Sequence, residues 1–307
     1  MTEMNNSKVA RVMSSFMGRF RHKRRQKAKM VESVLTFNAL RFLGVLVRMM
    51  NRRMTLRFAS LLGDVVHKVV ALRRDMVYRN IGITFPEKSP AEVRAIATKV
   101  YRNISCTLFE VLRIPLIRTR ADIAALVDID DEEFLRRTER GHTGAVLVSA
   151  HFGNWELMAM ALGLMLTPIT IIVKELSNVL IDRKMNELRT SGGNSILYGD
   201  YAIRNGLKLL DSGGVLAILS DQSDPSATYF GNFLGRRATM FHGAAFFALK
   251  AKVPLFVIMC ISNGNEKYKI EMQEINTSDL IFCKEDIAIL ASRYTKVIEE
   301  YIIARPE

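Results

Sequence analysis

The sequence predicts an α/β fold with a mostly parallel central sheet flanked by helices, preceded by an N-terminal membrane-associated helical segment. Two observations predict it. From about residue 122, short aliphatic and β-branched runs alternate with helix-like stretches, the pattern of strands joined by crossover helices. Before that point the chain is helical in rhythm and strongly basic.

The charge is concentrated at one end. The whole chain of 307 residues carries a formal net charge of +13. Residues 1–57 hold 14 Lys and Arg against Glu3 and Glu32, and the remainder is close to neutral. The densest run comprises Arg19, Arg21, Lys23, Arg24, Arg25, Lys27 and Lys29. Such a segment suits an anionic lipid surface, a nucleic acid or plain solvent. The apolar stretch that follows, residues 31–50 (VESVLTFNALRFLGVLVRMM), favours lipid. Arg41 and Arg48 interrupt it, so a helix lying in the interface, with its arginines reaching for headgroups, fits better than a span. A short span is the second choice for a membrane role, and the plain alternative to both is an amphipathic helix packed on the protein's own body. No small-residue cleavage site follows the run, so a secretory signal is not expected. Residues 11–53 are therefore expected to meet an anionic membrane surface, with no nucleic-acid partner. A nucleic-acid reader should carry its charge on the folded face, and the other 250 residues are almost neutral.

The elements follow in order. Apolar residues Leu56, Ala59, Leu62, Val66 and Val69 predict one helix over 53–80. Phe85-Pro86 breaks the chain. Ser89-Pro90-Ala91-Glu92 then opens a helix running to about Arg113, with Ser89 capping and Glu92 closing a capping box. Strands are expected at 144–149, 168–173, 215–220, 254–261 and 267–275. Helices are expected at 154–165, 178–190, 200–211, 240–251 and 284–304. Gly141 and Gly213-Gly214 stand where helices should end. Two regions result: a basic helical part, 1–115, and an α/β body, 116–307.

In open α/β sheets ligands bind beyond the carboxyl ends of the strands. The segment after GAVLVSA reads His151-Phe152-Gly153-Asn154-Trp155-Glu156. On a continuous helix His151 and Glu156 would lie about 140° apart. They can meet only if His151 sits in a turn before the helix and Glu156 in its first turn. Gly153 and Asn154 supply such a turn, Asn154 as N-cap. The helix dipole would resist protonation of His151, and a carboxylate on the other ring nitrogen would fix the tautomer and restore basicity. That arrangement suits a general base acting on an alcohol. The spacing alone is equally that of a core histidine and a surface glutamate.

The block SAHFGNWE resembles the catalytic block, H-x4-D/E, of the bacterial lipid A late acyltransferases, within the wider glycerolipid and lysophospholipid acyltransferase superfamily. Three further stretches are similar to blocks of that family in the same order: YRNIGITFPEKSPAE (78–92), VKELSNVLIDRKMNELR (173–189) and SDQSDPSATYFGNFLGRRATMFHGAAFFALKAKVPLF (220–256). The resemblance implies an acyl-carrier-protein thioester (or acyl-CoA) as donor and a lipid A precursor or related glycolipid as acceptor. It implies His151 as the base and Glu156 as its partner, at the cytoplasmic face of a bacterial inner membrane. A lysophospholipid or a phosphoinositol mannoside is the alternative acceptor. Substrate-binding candidates are Asn154, Lys174, Asp221, Gln222 and Arg236. Two departures stand out. Where the family's second block usually begins near an Arg, this chain has Lys174-Glu175, and Lys lacks the planar bidentate fork. Relatives usually continue past the final helix, whereas this sequence stops at Arg305-Pro306-Glu307.

Rival chemistries lack their residues. There is no G-x-S-x-G elbow for a serine hydrolase, and Ser149 lies in a strand end. The five histidines are dispersed and no H-E-x-x-H or CxxC occurs, so no metal or cofactor is expected. Cys106, Cys260 and Cys283 are read as buried thiols of a reducing compartment. Leu157, Met158, Met160, Leu162 and Met165 suit an acyl channel, or more simply core. The non-enzymatic alternative is a basic protein that binds a membrane surface or nucleic acid.

Overall fold

Residues 145–149 (AVLVS) are apolar without alternation and are buried along their whole length, the mark of a strand covered on both faces. This strand, β2 (Ala145–Ser149), is central in a seven-stranded sheet. The other members are β1 (Val127–Ile129), β3 (Ile169–Val173), β4 (Ser195–Tyr198), β5 (Val215–Leu219), β8 (Leu255–Ser262) and β9 (Tyr268–Ile275), in the order β1-β9-β8-β2-β5-β3-β4. All pairings are parallel except β8 with β9. A separate antiparallel hairpin joins β6 (Phe230–Phe233) to β7 (Arg236–Thr239). The computed structural model describes residues 29–138, 143–222, 229–263 and 267–307. The basic run from Arg19 to Lys27, and Gly141, lie outside the described residues.

Successive residues of β2 feed two cores, because side chains alternate across a strand. Val146 and Val148 join Phe247, Leu290 and Tyr294 from helices α10 (Gly243–Ala251) and α11 (Lys284–Ala304). Ala145 and Leu147 join Phe134, Phe256 and residues 157–162 on the other face. These last residues belong to α7 (Trp155–Ala161) and the π turn that follows it. The body also contains α5 (Arg120–Ala124), α6 (Glu132–Thr138) and α9 (Gly199–Asp211). Each large side chain buried this fully contributes roughly 1.5–3 kcal/mol relative to exposure. Of the stripe, Leu157, Met158, Met160 and Leu162 are thus core, at most 4% exposed, and Met165 is partly buried against the same cluster. The expected strands and helices of the body are all present. The short strands β1 and β4 and the β6–β7 hairpin were not expected. They are three or four residues long, too short to show a period.

Two departures concern the N-terminal helices. The single helix expected over 53–80 is two: α2 (Arg52–Val65) and α3 (Arg74–Thr84), separated by a π turn, Val66–Val70, and left-handed residues at Ala71 and Arg73. The turn carries His67 inward, where its ring accepts or donates to Tyr78 (2.9 Å) and Thr98 (3.2 Å) and stacks on Tyr101. The apolar period continues across the break, so periodicity alone does not reveal it. The helix α4 (Pro90–Arg113) starts with the expected capping box between Ser89 and Glu92. Secondly, α1 (Lys29–Met49) is long and apolar enough to cross a membrane. Its Arg48, however, does not reach outward: Arg48 donates to the carbonyl of Leu112 at the end of α4. In return Arg113 caps the carbonyls of Val47 and Met50 at the end of α1. These are orphan helix-end acceptors, which a guanidinium satisfies.

Close approach of α2 and α4 requires Gly63. A Cβ there would stand 2.7 Å from the Tyr101 carbonyl oxygen and the Arg102 Cα, both backbone. At Gly82, in α3, a Cβ would meet nothing within 4 Å. Gly63→Ala is therefore expected to destabilise by about 1–3 kcal/mol through overpacking, whereas Gly82→Ala should stabilise by about 0.5–1 kcal/mol. Thermal unfolding in one detergent checks both. Equal effects of the two substitutions would show that α2 and α4 do not depend on a glycine at their crossing.

Candidate active site

The sheet register creates the site. β2 and β5 run parallel with Ser149 opposite Leu219, and the Ser220 N–H donates to the Ser149 carbonyl at 2.9 Å. Two residues beyond that register pair, His151 stands beside Asp221. The imidazole Nδ1 lies 2.9 Å from one carboxylate oxygen, and the His151 backbone N–H donates to the other at 3.0 Å. Burial raises the Asp221 pKa, but the hydrogen bond and charge of His151 and the backbone N–H outweigh it, so the carboxyl sits below its usual value. An ionised carboxylate accepts only, so Nδ1 carries a proton and Nε2 is the ring nitrogen left without that partner. The His151 side chain is 34% exposed and Asp221 19%. This is an imidazole held in one orientation at the carboxyl edge of the sheet.

The turn after His151 is fixed by contact. Gly153 has a φ of +58°, and a Cβ there would fall 1.9 Å from the Cys260 carbonyl oxygen of β8. No other residue fits. Asn154 accepts the Leu157 N–H at 3.0 Å and caps α7, as expected. Trp155 packs edge-on against the imidazole, with ring centroids 5.0 Å apart.

Glu156 does not partner His151. It is 7% exposed in the first turn of α7, and both its oxygens are taken by Arg189 of α8 (Val179–Thr190). The Arg189 Nε lies 2.9 Å from Oε2, and Nη2 donates to Oε1. Burial would lower the Arg189 pKa, but the hydrogen bond and charge of Glu156 hold it above its usual value. The turn does lie before the helix, as the spacing of the two residues required. The carboxylate nevertheless points to α8, and the ring finds its acid on the neighbouring strand, 70 residues away.

The remaining candidates separate by position. Asn154 is fully buried, and its side chain donates to Glu110 and accepts from Leu157, so it holds the turn and does not face a substrate. Lys174 is exposed at the end of β3, on the same edge of the sheet as His151. Gln222 is exposed next to Asp221. Arg236 is exposed on the β6–β7 hairpin, where its neighbour Arg237 lies over the Phe230 ring. Ser149 is 3% exposed and its hydroxyl donates to the Ile258 carbonyl at 2.6 Å, which leaves no nucleophile there. Cys260 is buried, with its thiol pushed up to about 12 by burial, whereas Cys106 and Cys283 are only partly buried. Arg189 had one signal in the sequence, its place at the end of the block 173–189. Asp221 had its position just past a strand. A groove lined by Leu176, Val179, Asp182, Asn186 and Tyr198 opens beside β4 and does not include His151, so hollow shape does not locate the chemistry.

Two expectations follow. Arg189→Met strands a buried carboxylate and should cost about 3–5 kcal/mol, and adding Glu156→Gln should recover most of it. Urea unfolding of the two variants checks this, and equal losses would show that the pair is not coupled. For Asp221 the folded pKa lies below the unfolded one, near 3.9. Its contribution is then full above about pH 4 and disappears as pH falls through the folded value. The stability gap between wild type and Asp221→Asn should shrink on acidification through that range. A gap independent of pH would sink the linkage.

The profile of the family described as bacterial lipid A biosynthesis acyltransferase matches residues 21–307, nearly the whole chain. A comparison with curated individual proteins gives no match. The match extends over the N-terminal helices, the His151 turn, the β5 edge and α11 alike. With a mostly parallel sheet and an imidazole at its carboxyl edge beneath that match, the chain belongs to the bacterial lipid A biosynthesis acyltransferase family.

Proposed function

We propose that this acyltransferase moves a fatty acyl chain from an acyl-carrier-protein thioester to a hydroxyl of a lipid A precursor, with His151 as general base and Asp221 as its orienting partner. The observation that carries this is the Nδ1–Asp221 contact at 2.9 Å, on a ring partly open to solvent, in a chain of this family. Nε2 takes the proton of the acceptor hydroxyl as its oxygen attacks the thioester carbonyl. The tetrahedral intermediate collapses with loss of the thiolate, which takes the proton back from the imidazolium. Asp221 stabilises the imidazolium meanwhile and needs no proton of its own. The Glu156–Arg189 pair acts by holding α7 against α8, beside the turn. Lys174, Gln222 and Arg236 are the proposed polar contacts to the acceptor or to the phosphate of the carrier's arm.

The proposed location is the cytoplasmic face of the inner membrane. Residues 11–53 would rest on anionic lipid. Support comes from α1, whose Val31, Leu35, Phe42, Leu46 and Met49 are exposed. Contacts at both ends of this helix favour a position along the membrane surface. The Ser33 carbonyl accepts from Asn178 at the start of α8, and the other end is fastened to α4. Fourteen residues of helix separate Ser33 from Val47, about 21 Å at 1.5 Å per residue. A helix crossing the bilayer would carry one of those ends away from the body.

Purified protein with acyl-carrier thioesters and a panel of lipid acceptors, read by mass spectrometry, tests the reaction. Turnover should be highest with the lipid A precursor. His151→Ala and Asp221→Asn should each lower kcat by about 10² or more. An Asp221→Asn rate equal to wild type would return the partner's role to another group. Transfer only to lysophospholipid would replace the acceptor.

A further inference from the structure

We propose that Glu110 is a positioning residue for the turn that carries His151, acting through Asn154, with Arg52 holding its charge in place. The inference rests on the reading of His151 as the base. Glu110 lies in the last third of α4 and is 5% exposed. One oxygen takes Arg52, through Nε at 2.9 Å and through Nη2. The other takes the Asn154 side-chain amide at 2.9 Å and the Tyr268 hydroxyl of β9. Burial and the Glu110 charge push the Tyr268 pKa up, so the phenol remains a donor. One turn earlier on α4, Thr107 donates to the Gly153 carbonyl at 3.2 Å. Helix α4 therefore grips residues 153 and 154, directly after the His151 turn begins.

A carboxylate is a costly choice for mere packing here. Buried ion pairs replaced by apolar residues of similar volume are often no less stable. What the charge supplies is direction: it takes the Asn154 NH2, so that the amide oxygen is the end that caps α7. Arg52 immediately follows Asn51, the N-cap of α2, so the junction of α1 and α2 is joined to the same carboxylate. The lipid-facing helices and the proposed base thus share one buried group.

The test exchanges the amide and the acid. Asn154→Asp keeps the size and the capping oxygen but sets two carboxylates face to face. Turnover should fall about tenfold or more with KM little changed, since small displacements of a catalytic group act on kcat. The His151 ring signal in the 15N NMR of histidine-labelled protein, assigned by its loss in His151→Ala, should shift. The double variant Asn154→Asp/Glu110→Gln restores the pair in reverse with the same total charge, and should recover most of the rate and the wild-type signal. An Asn154→Asp protein with wild-type kcat and signal overturns the proposal, as does a double variant no better than the single. If His151→Ala turns over as fast as wild type, the base reading fails by itself, and the NMR signal still decides the role of Glu110.

Discussion

The site depends on the register between β2 and β5. Parallel pairing with Ser149 opposite Leu219 sets the next residues of both strands side by side, and a hydrogen bond from Ser220 to Ser149 keeps them so. His151 and Asp221 meet because of that alignment. A slip of one residue would turn every side chain of a strand to the other face. Both cores of the body oppose such a slip, since Val146 and Val148 are committed to one and Ala145 and Leu147 to the other. The energy that orients the imidazole is thus mainly the burial of aliphatic side chains that never touch it.

Buried charge is used sparingly, and next to the site. Glu156 with Arg189, and Glu110 with Arg52, each place a carboxylate below 10% exposure with a guanidinium across it. Each fastens a helix that flanks the His151 turn, α7 to α8 in one case and α4 to α2 in the other. Apolar contacts are adaptable by comparison. Hydrogen-bonded charge fixes orientation, which the proposed base requires.

The N-terminal helices are built into the same scheme. Arg48 and Arg113 exchange helix-end contacts between α1 and α4, each guanidinium taking carbonyls at the other helix's end. The apolar face of α1 is left outward, alongside exposed Phe58 and Leu61 of α2. The Ser33–Asn178 contact sets the start of α1 beside the start of α8, the helix that follows the carboxyl end of β3.

The sequence by itself determined the α/β body, the capped start of α4, the turn at Gly153 and Asn154, and His151 as the residue to inspect. Each of these is written in local chemistry: alternating apolar runs, a Ser-Pro-Ala-Glu start, a glycine and an asparagine between strand and helix. Only the tertiary structure decided which acid touches His151. Glu156 is near in sequence and faces α8, while Asp221 is far in sequence and adjacent in the sheet. Strand register is a long-range property that spacing along the chain does not encode. The break between α2 and α3 escaped for a related reason, because the pull of Tyr78, Thr98 and Tyr101 on His67 comes from other helices. Asn154 was legible as a cap, but its complete burial was not, since Glu110 of α4, which closes on its amide, is 44 residues away.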